Sequence, residues 1–319
     1  MLRTSIQYKF TVGKPVSVSD DYFTPLINES FGVLSLDEFL NINNPSQSYI
    51  FTEHQIQFSI NMDNTSTPNA SYVTIFNVDK EIEKYFKANK SSNIACRLEA
   101  GDNVQGLKVI AEGTVTNSEF KEDTETNTLK LTLGDGVMAA KNAKSVRTYP
   151  RGTEYKKVLK DLSGDLKLPM GLFSSAISGT LLNPVTIAGK THDIIDGISK
   201  ALNHDYSIQN NKVSLMPKNL SLPKEVSVIT KESGLIGRVS LENDDTRGTS
   251  TAKKKTNTYS IKFTCLLDGS LKPNESVYIK DGDYDGTFKI TSVNFQGDYE
   301  GGKWICDVIA DKTEGVLVG

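Results

Sequence analysis

Gln296-Gly297-Asp298-Tyr299-Glu300-Gly301-Gly302-Lys303-Trp304 stands near the end of the chain, between Phe288-Lys289-Ile290 and the alternating run Trp304-Ile305-Cys306-Asp307-Val308. Both flanks read as strands, because apolar and polar residues alternate with the period of two that puts successive side chains on opposite faces. Working back from that stretch, Val277-Tyr278-Ile279 and Tyr259-Ser260-Ile261-Lys262-Phe263 carry the same pattern. Asp268-Gly269, Asp281-Gly282 and Asp285-Gly286 sit where hairpin turns belong. From Gly234-Leu235-Ile236-Gly237 onward the pattern predicts a small antiparallel barrel.

The region before it has a different character. Tyr155, Val158, Leu159 and Leu162 form one helical stripe, with Thr153 as the expected cap and Gly164 as the stop. A second stripe, Ile194, Ile195, Ile198 and Leu202, follows the expected cap Thr191. Tyr206-Ser207-Ile208 and Val213-Ser214-Leu215, joined through Asn210-Asn211, predict a hairpin packed under these helices. The change of character near Tyr149-Pro150-Arg151-Gly152 marks the start of an α+β insertion.

The opening of the chain is again strand-like. Tyr8 to Val12, Gln55 to Ile60 and Tyr72 to Phe76 alternate, with the turn-forming Asn64-Thr65-Ser66-Thr67-Pro68-Asn69 between the last two. Asp79 is the expected cap of a short helix with Ile82, Tyr85 and Phe86 on one side. Ile94-Cys96-Leu98, Lys108 to Ala111, Gly113 to Val115 and Leu129 to Leu133 complete a first barrel or sandwich, closed by Asp135-Gly136. From Gly13 to Ser48 the pattern is irregular and rich in Ser, Asn and Pro. It reads as a long insertion or extended arm that needs a partner surface to be ordered. The expected organisation is a mainly β chain with an α+β insertion: residues 1–145 as a barrel with an arm at about 13–48, 146–232 as a two-helix insert, and 233–319 as a second barrel.

A chain of 319 residues exceeds what one hydrophobic core ordinarily serves. Its 36 Lys and Arg against 39 Asp and Glu leave no global basic field for nucleic acid, so any DNA contact is local. Cys96, Cys265 and Cys306 are an odd number, far apart, each in an apolar alternating run, which predicts buried free thiols rather than a disulfide framework or a zinc site. The first residues lack the apolar core of a leader, and no run approaches the ~18 apolar residues of a membrane helix. The chain is therefore expected to be made in the cytoplasm without a membrane anchor of its own.

Candidate chemistry is sparse. Asp281-Gly282-Asp283-Tyr284-Asp285-Gly286 begins like a calcium loop, but its twelfth position is Ser292 rather than Glu and its flanks are strands, so a hairpin turn is the better reading. His54, His192 and His204 show no metal-ligand spacing. No Gly-x-Ser-x-Gly elbow precedes a helix. A pair of carboxylates suited to glycoside hydrolysis will always be found among 39 acidic residues, so that test has no power. Lys253-Lys254-Lys255 after Asp244 to Ser250 reads either as a solvated loop or as a phosphate or partner contact. Trp304, the single tryptophan, faces either core or a subunit interface. No catalytic, cofactor-binding or metal-ligating residue is assigned.

Phe58-Ser59-Ile60, Pro68-Asn69, Val73 to Val78, Leu98 to Gly101 and Gly113-Thr114-Val115 resemble the opening barrel of phage baseplate hub proteins. Ser233 to Gly237, Leu271-Lys272-Pro273, Gly286-Thr287-Phe288 and Gly297 to Trp304 resemble the closing barrel of the same family. The similarity runs in order from about Ile56 to Ala310. Asn274 stands where a glycine is common and Gln296 where a histidine is common. The resemblance implies a homotrimer of two barrels per chain, a pseudo-hexameric ring joining the hexameric tail tube to the trimeric spike of a phage tail or contractile injection system. Its partners would be tube, spike and other baseplate proteins, with DNA only passing through the channel and the virion tail as final location. A tail-borne peptidoglycan hydrolase and a carbohydrate-binding β-sandwich are the alternatives.

Overall fold

The computed structural model describes residues 5–16, 48–66, 69–89, 93–123, 126–134, 142–168, 170–173, 177–209, 212–218, 220–222, 226–242, 259–313 and 315–316. Positions 17–47 of the expected arm, Pro68, Asp135-Gly136, Asn210-Asn211 and the run from Asp244 through Lys255 lie outside them.

The first strand set comprises β1 (Ile6–Val16), β2 (Ser48–Phe51), β3 (Ile56–Asp63), β4 (Ala70–Phe76), β5 (Asn93–Asp102), β6 (Gly106–Glu122) and β7 (Asn127–Gly134), with helix α1 (Lys80–Ala88) between β4 and β5. The insert carries β8 (Lys144–Tyr149), α2 (Tyr155–Asp165), β9 (Met170–Phe173), β10 (Val185–Lys190), α3 (Thr191–Ala201), β11 (His204–Gln209), β12 (Lys212–Pro217) and β13 (Leu220–Ser221). The closing set is β14 (Ser227–Ile229), β15 (Leu235–Leu241), β16 (Ser260–Leu266), β17 (Ser276–Ile279), β18 (Gly286–Asp298), β19 (Trp304–Lys312) and β20 (Gly315–Val316).

Strand pairing joins the two ends of the chain. One sheet runs β15-β16-β19-β18-β3-β4-β7-β6-β5-β1-β2, with β17 and β14 branching from β18. The joint is β18: its first half pairs with β17, while Ser292 to Asp298 pair antiparallel with Asp63 to Gln57 of β3. Side chains from both strand sets therefore share one core, in which Phe10, Phe51, Ile60, Leu98, Phe263, Phe288 and Phe295 are fully buried. At ~25 cal/mol per Å² of apolar surface, aromatic side chains of this size dominate such a core.

Alternation sets most of these strands. In β3, Ile56, Phe58, Ile60 and Met62 point inward and the intervening polar residues outward. The two apolar runs expected around Lys108 and Gly113 merge into the 17-residue β6. It pairs with β5 in its first half and β7 in its second, and register shifts at Leu98/Glu99 and Val115/Asn117 bend it between them.

The insert has its own core of Val158, Leu159, Leu162, Ile195, Tyr206, Val213 and Leu215. The predicted β11–β12 hairpin is present. The helix ends differ from expectation. The Thr153 hydroxyl donates to the Pro150 carbonyl and closes a turn, so Glu154 occupies the cap position of α2. Gly164 stays inside that helix, and the left-handed backbone falls to Lys167 at φ 55°. Thr191 is the first residue of α3, buried with its hydroxyl on Ser145 at 2.8 Å, because burial beside β8 offers it a hydroxyl partner in place of a backbone N–H. Asp79 holds the cap position of α1 without a side-chain cap bond.

Candidate assembly surfaces

The hairpin tip between β18 and β19 is built by its own residues. The Asp298 carboxylate accepts the Glu300 and Gly301 N–H groups at 3.2 and 2.7 Å, and the Asp298 N–H donates to the Lys303 carbonyl. A Cβ on Gly301 would stand 2.0 Å from the Asp298 carboxylate, so a larger residue there would push that carboxylate out of the turn. Just before Asp298 on β18, a Cβ on Gly297 would stand 2.2 Å from the ring of Phe58 on the neighbouring β3. That close approach lets the Trp304 ring meet Phe58 edge-on, centroids 5.2 Å apart. The Trp304 indole then donates to the Gly101 carbonyl at 3.1 Å, tying the β18–β19 hairpin to the β5–β6 hairpin. Of the two settings expected for Trp304, the structure selects the core.

Two faces of the molecule meet at this joint. On the outward side, Gln57, Ser59 and Asn61 of β3 lie beside Asn294 and Gln296 of β18, Asp307 of β19 and Thr264 of β16. The Asp307 carboxylate accepts Thr264 and Gln296, and Asp298 accepts Gln57, so a mainly uncharged hydrogen-bonding surface crosses from one strand set to the other. At the end of the strands, an open cleft of about 620 Å³ separates the β5–β6 hairpin from β15, β16 and the β18–β19 tip. Ile236, Leu266 and Trp304 belong to its apolar wall, and among the described residues Asp102 and Glu300 are the only charged ones lining it. The Tyr299 ring at its margin packs edge-on against Tyr8, whose hydroxyl donates to the His54 carbonyl. Burial raises the Tyr8 phenol well above its usual range.

The insert is fastened to the strand body by polar groups. Lys289, 1% exposed, donates to Asp205 at 3.1 Å and to the Pro217 and Lys218 carbonyls at 2.8 and 3.1 Å. Asn64 donates to the same Asp205 carboxylate, and Gln209 donates to the Asp63 carbonyl. Burial lowers the Lys289 pKa, opposed by Asp205. Within the insert, Arg147 and Ser145 hold the Asp165 carboxyl below its ordinary value, Arg147 most strongly, against the opposing effect of burial.

The sequence candidates for chemistry stay dispersed. His54 packs on Phe51, His192 meets the Tyr206 hydroxyl at 3.2 Å, and His204 faces the Leu202 carbonyl. Among the described residues, no group of three His, Cys, Asp or Glu side chains is placed to hold a metal ion. In the Asp281–Gly286 run a 3-10 turn spans Gly282–Tyr284, and the Asp281 carboxylate accepts the Val239 N–H. The three cysteines are buried. Sequence reading missed that Cys265 and Cys306 sit directly opposite each other on β16 and β19; their positions on the inward phase of two strands were visible, their register was not. No helix among the described residues is long and apolar enough to cross a membrane.

No family model matches the sequence, and no curated protein matches it. Solved structures do match its shape. The 43 kDa tail protein of prophage MuSo2 from Shewanella oneidensis aligns with 82% of this chain and 93% of its own, at 10% identity and a TM-score of 0.58. A tail protein from Neisseria meningitidis aligns over 83% of this chain and 94% of its own, at 8% identity and 0.60. An Escherichia coli component of the type VI secretion system, described as similar in structure to bacteriophage T4 tail proteins, aligns over 83% and 74% at 9% identity and 0.54. The chain has the fold of these tail and secretion-system proteins.

Proposed function

We propose that this chain is a structural hub of a phage tail or related injection machine. Three copies form a ring in which two barrel-like sets per chain, residues 1–145 and 233–319, give six quasi-equivalent positions toward a hexameric tube and a threefold face toward a spike. Two similar units per subunit resolve that mismatch of symmetries. The insert, residues 146–232, stands beside the ring and meets other baseplate proteins.

The observation that carries this reading is the β3–β18 pairing. It makes the two strand sets one rigid sheet with a polar outward face continuous across the joint. Around the joint that face is suited to line a channel: the Asp298 and Asp307 carboxylates are engaged by the neutral donors Gln57, Thr264 and Gln296, and Ser59, Asn61 and Asn294 between them are uncharged. The likeness of fold to phage tail proteins supports the same reading. The role is mechanical, without catalysis.

Light scattering across a concentration series, followed by binding assays with the neighbouring tube and spike proteins, tests it. A mass near three times 35.0 kDa and capture of both partners is the expected result. A persistent monomer with affinity for neither overturns the hub reading, and clearing of peptidoglycan in a zymogram would favour a hydrolase instead.

A further inference from the structure

The β8–β10 ribbon of the insert presents one face that its own chain leaves unmatched. Residues opposite each other in an antiparallel pair share a face, and here Lys144 stands opposite Lys190, Val146 opposite Ala188 and Thr148 opposite Thr186. All six are exposed, Val146 at 78%. The reverse face is occupied: Ser145 and Tyr149 are buried, Ile187 packs on the insert's core, and Arg147 pairs with Asp165. Like charges directly opposite on a two-stranded ribbon destabilise it. Among the described residues neither lysine has a hydrogen-bonding or ion-pair partner for its ammonium group. Two facing cations beside an uncovered valine form a surface that a carboxylate-bearing apolar partner would satisfy.

The cleft at the barrel joint has the opposite character. Among the described residues its charged lining is Asp102 and Glu300, and Ile236 and Leu266 in its wall are 42% and 43% exposed although apolar. Ribbon and cleft belong to different parts of the chain, so a contact between them in two copies is heterologous, the type that closes into a ring when its rotation allows.

We propose that the β8–β10 ribbon of one copy seats in the barrel-joint cleft of the next, with Lys144 and Lys190 against Glu300 and Asp102, and Val146 over Ile236 and Leu266. The inference rests on the homo-oligomeric reading above and assigns its contact. Apolar burial supplies the affinity, and the charge pairs fix register and weaken with added salt.

The test uses the full chain and sedimentation equilibrium. Lys144→Glu/Lys190→Glu should weaken self-association at least tenfold, with far-UV circular dichroism unchanged, because both positions are exposed. Lys156→Glu/Lys160→Glu, which makes the same charge change on an exposed face of α2, should leave association unaltered. Adding Glu300→Lys to the ribbon variant should recover part of the loss; Asp102 is left in place because its carboxylate closes the β5–β6 turn on the Val104 and Gln105 N–H groups. A wild type that trimerises while the ribbon variant trimerises equally well overturns this contact and leaves the hub reading standing. Equal weakening by the α2 variant, or no recovery with Glu300→Lys, also overturns it. A wild type monomeric at every concentration overturns this contact, and the hub reading with it if the chain also captures neither tube nor spike protein.

Discussion

The strand body and the insert are held together by opposite means. The body is knitted by pairing between residues some 230 positions apart in sequence, β3 with β18, and its core, with Phe58, Phe295 and Trp304 at the joint, is continuous across it. The insert is local: its two helices, its ribbon and the β11–β12 hairpin all come from one stretch, and its core is largely leucine and isoleucine. Between them lies a polar clamp around Lys289 rather than shared apolar packing. The charge differs as well. Residues 143–218 hold 11 Lys and Arg against 6 Asp and Glu, in a chain whose formal net charge is -3. A rigid acidic body carrying a basic, separately cored appendage is an arrangement in which the appendage can shift or melt without dismantling the body.

The strongest way to break this comparison is to empty each core in turn. Phe295, fully buried between β3 and β19, reduced to Ala should cost about 3–5 kcal/mol. Trp304 is the only tryptophan and lies in the body, so its fluorescence should follow that loss in a denaturant titration. Leu159→Ala in the insert should cost about 2–5 kcal/mol and be visible by circular dichroism and by hydrogen exchange in α2 and α3, with the Trp304 transition unmoved. If Leu159→Ala shifts the Trp304 transition by the full amount, body and insert are one cooperative unit and the contrast is wrong.

The next effect falls on the clamp. Lys289→Met removes a buried cation and leaves the Asp205 carboxylate, itself 17% exposed, without its counter-charge and with Asn64 as its donor, so a loss of about 3 kcal/mol is expected. Replacing both partners by apolar residues, Lys289→Met with Asp205→Leu, should restore much of it, since a buried pair is costly to break singly and cheap to replace together. Thermal melts of the two variants decide. A double variant no more stable than the single one would mean that the carbonyl contacts of Lys289 and the Asn64 bond, not the ion pair, hold the insert.

Gly297→Ala probes the body at its tightest point. A methyl placed 2.2 Å from the Phe58 ring forces that ring to move and with it the edge contact to Trp304, at a cost of about 1–3 kcal/mol. Denaturation monitored by tryptophan emission should show both the destabilisation and a shifted native spectrum. An unchanged spectrum would show that Phe58 yields without disturbing Trp304.

The same contrast explains what the sequence disclosed. Ile56-Phe58-Ile60 and Cys306-Val308-Ala310 announced their strands because alternation is a local property, and the insert's helices and hairpin were legible for the same reason. Partnership is not local. Nothing in the phase of β3 says that β18 lies beside it, so the joint, the cleft and the Cys265–Cys306 register were out of reach. Lys289 was misleading in another way. It sits between Phe288 and Ile290, where alternation assigns it to solvent, yet all three are buried because the insert covers the face that the pattern leaves open. Caps failed at Thr153 and Thr191 because a hydroxyl beside a carbonyl or another hydroxyl has alternatives to the helix N–H groups.

The smallest expected effect concerns a second tie within the body, the Lys108–Asp268 pair that links β6 to the loop after β16 at 2.9 Å. Burial alone would raise the Asp268 pKa, but bonds from Ser270 and Lys108 outweigh it and the carboxyl stays below its ordinary value. A depressed folded-state pKa stabilises the native state above the unfolded value, near 4, and that contribution disappears as pH falls through the folded one. Lys108 is 36% exposed, so solvent screening limits the pair to about 1 kcal/mol or less. Asp268→Asn should therefore lower stability slightly at pH 7 and leave it closer to wild type at pH 3. The insert offers the matching control: Asp165, held down by the more exposed Arg147, should give the same sign when changed to Asn but move the insert's transition, not that of Trp304. If both variants move one common transition by the same amount, the two acid-sensitive ties report on a single unit, and the separation of body from insert fails at its finest scale.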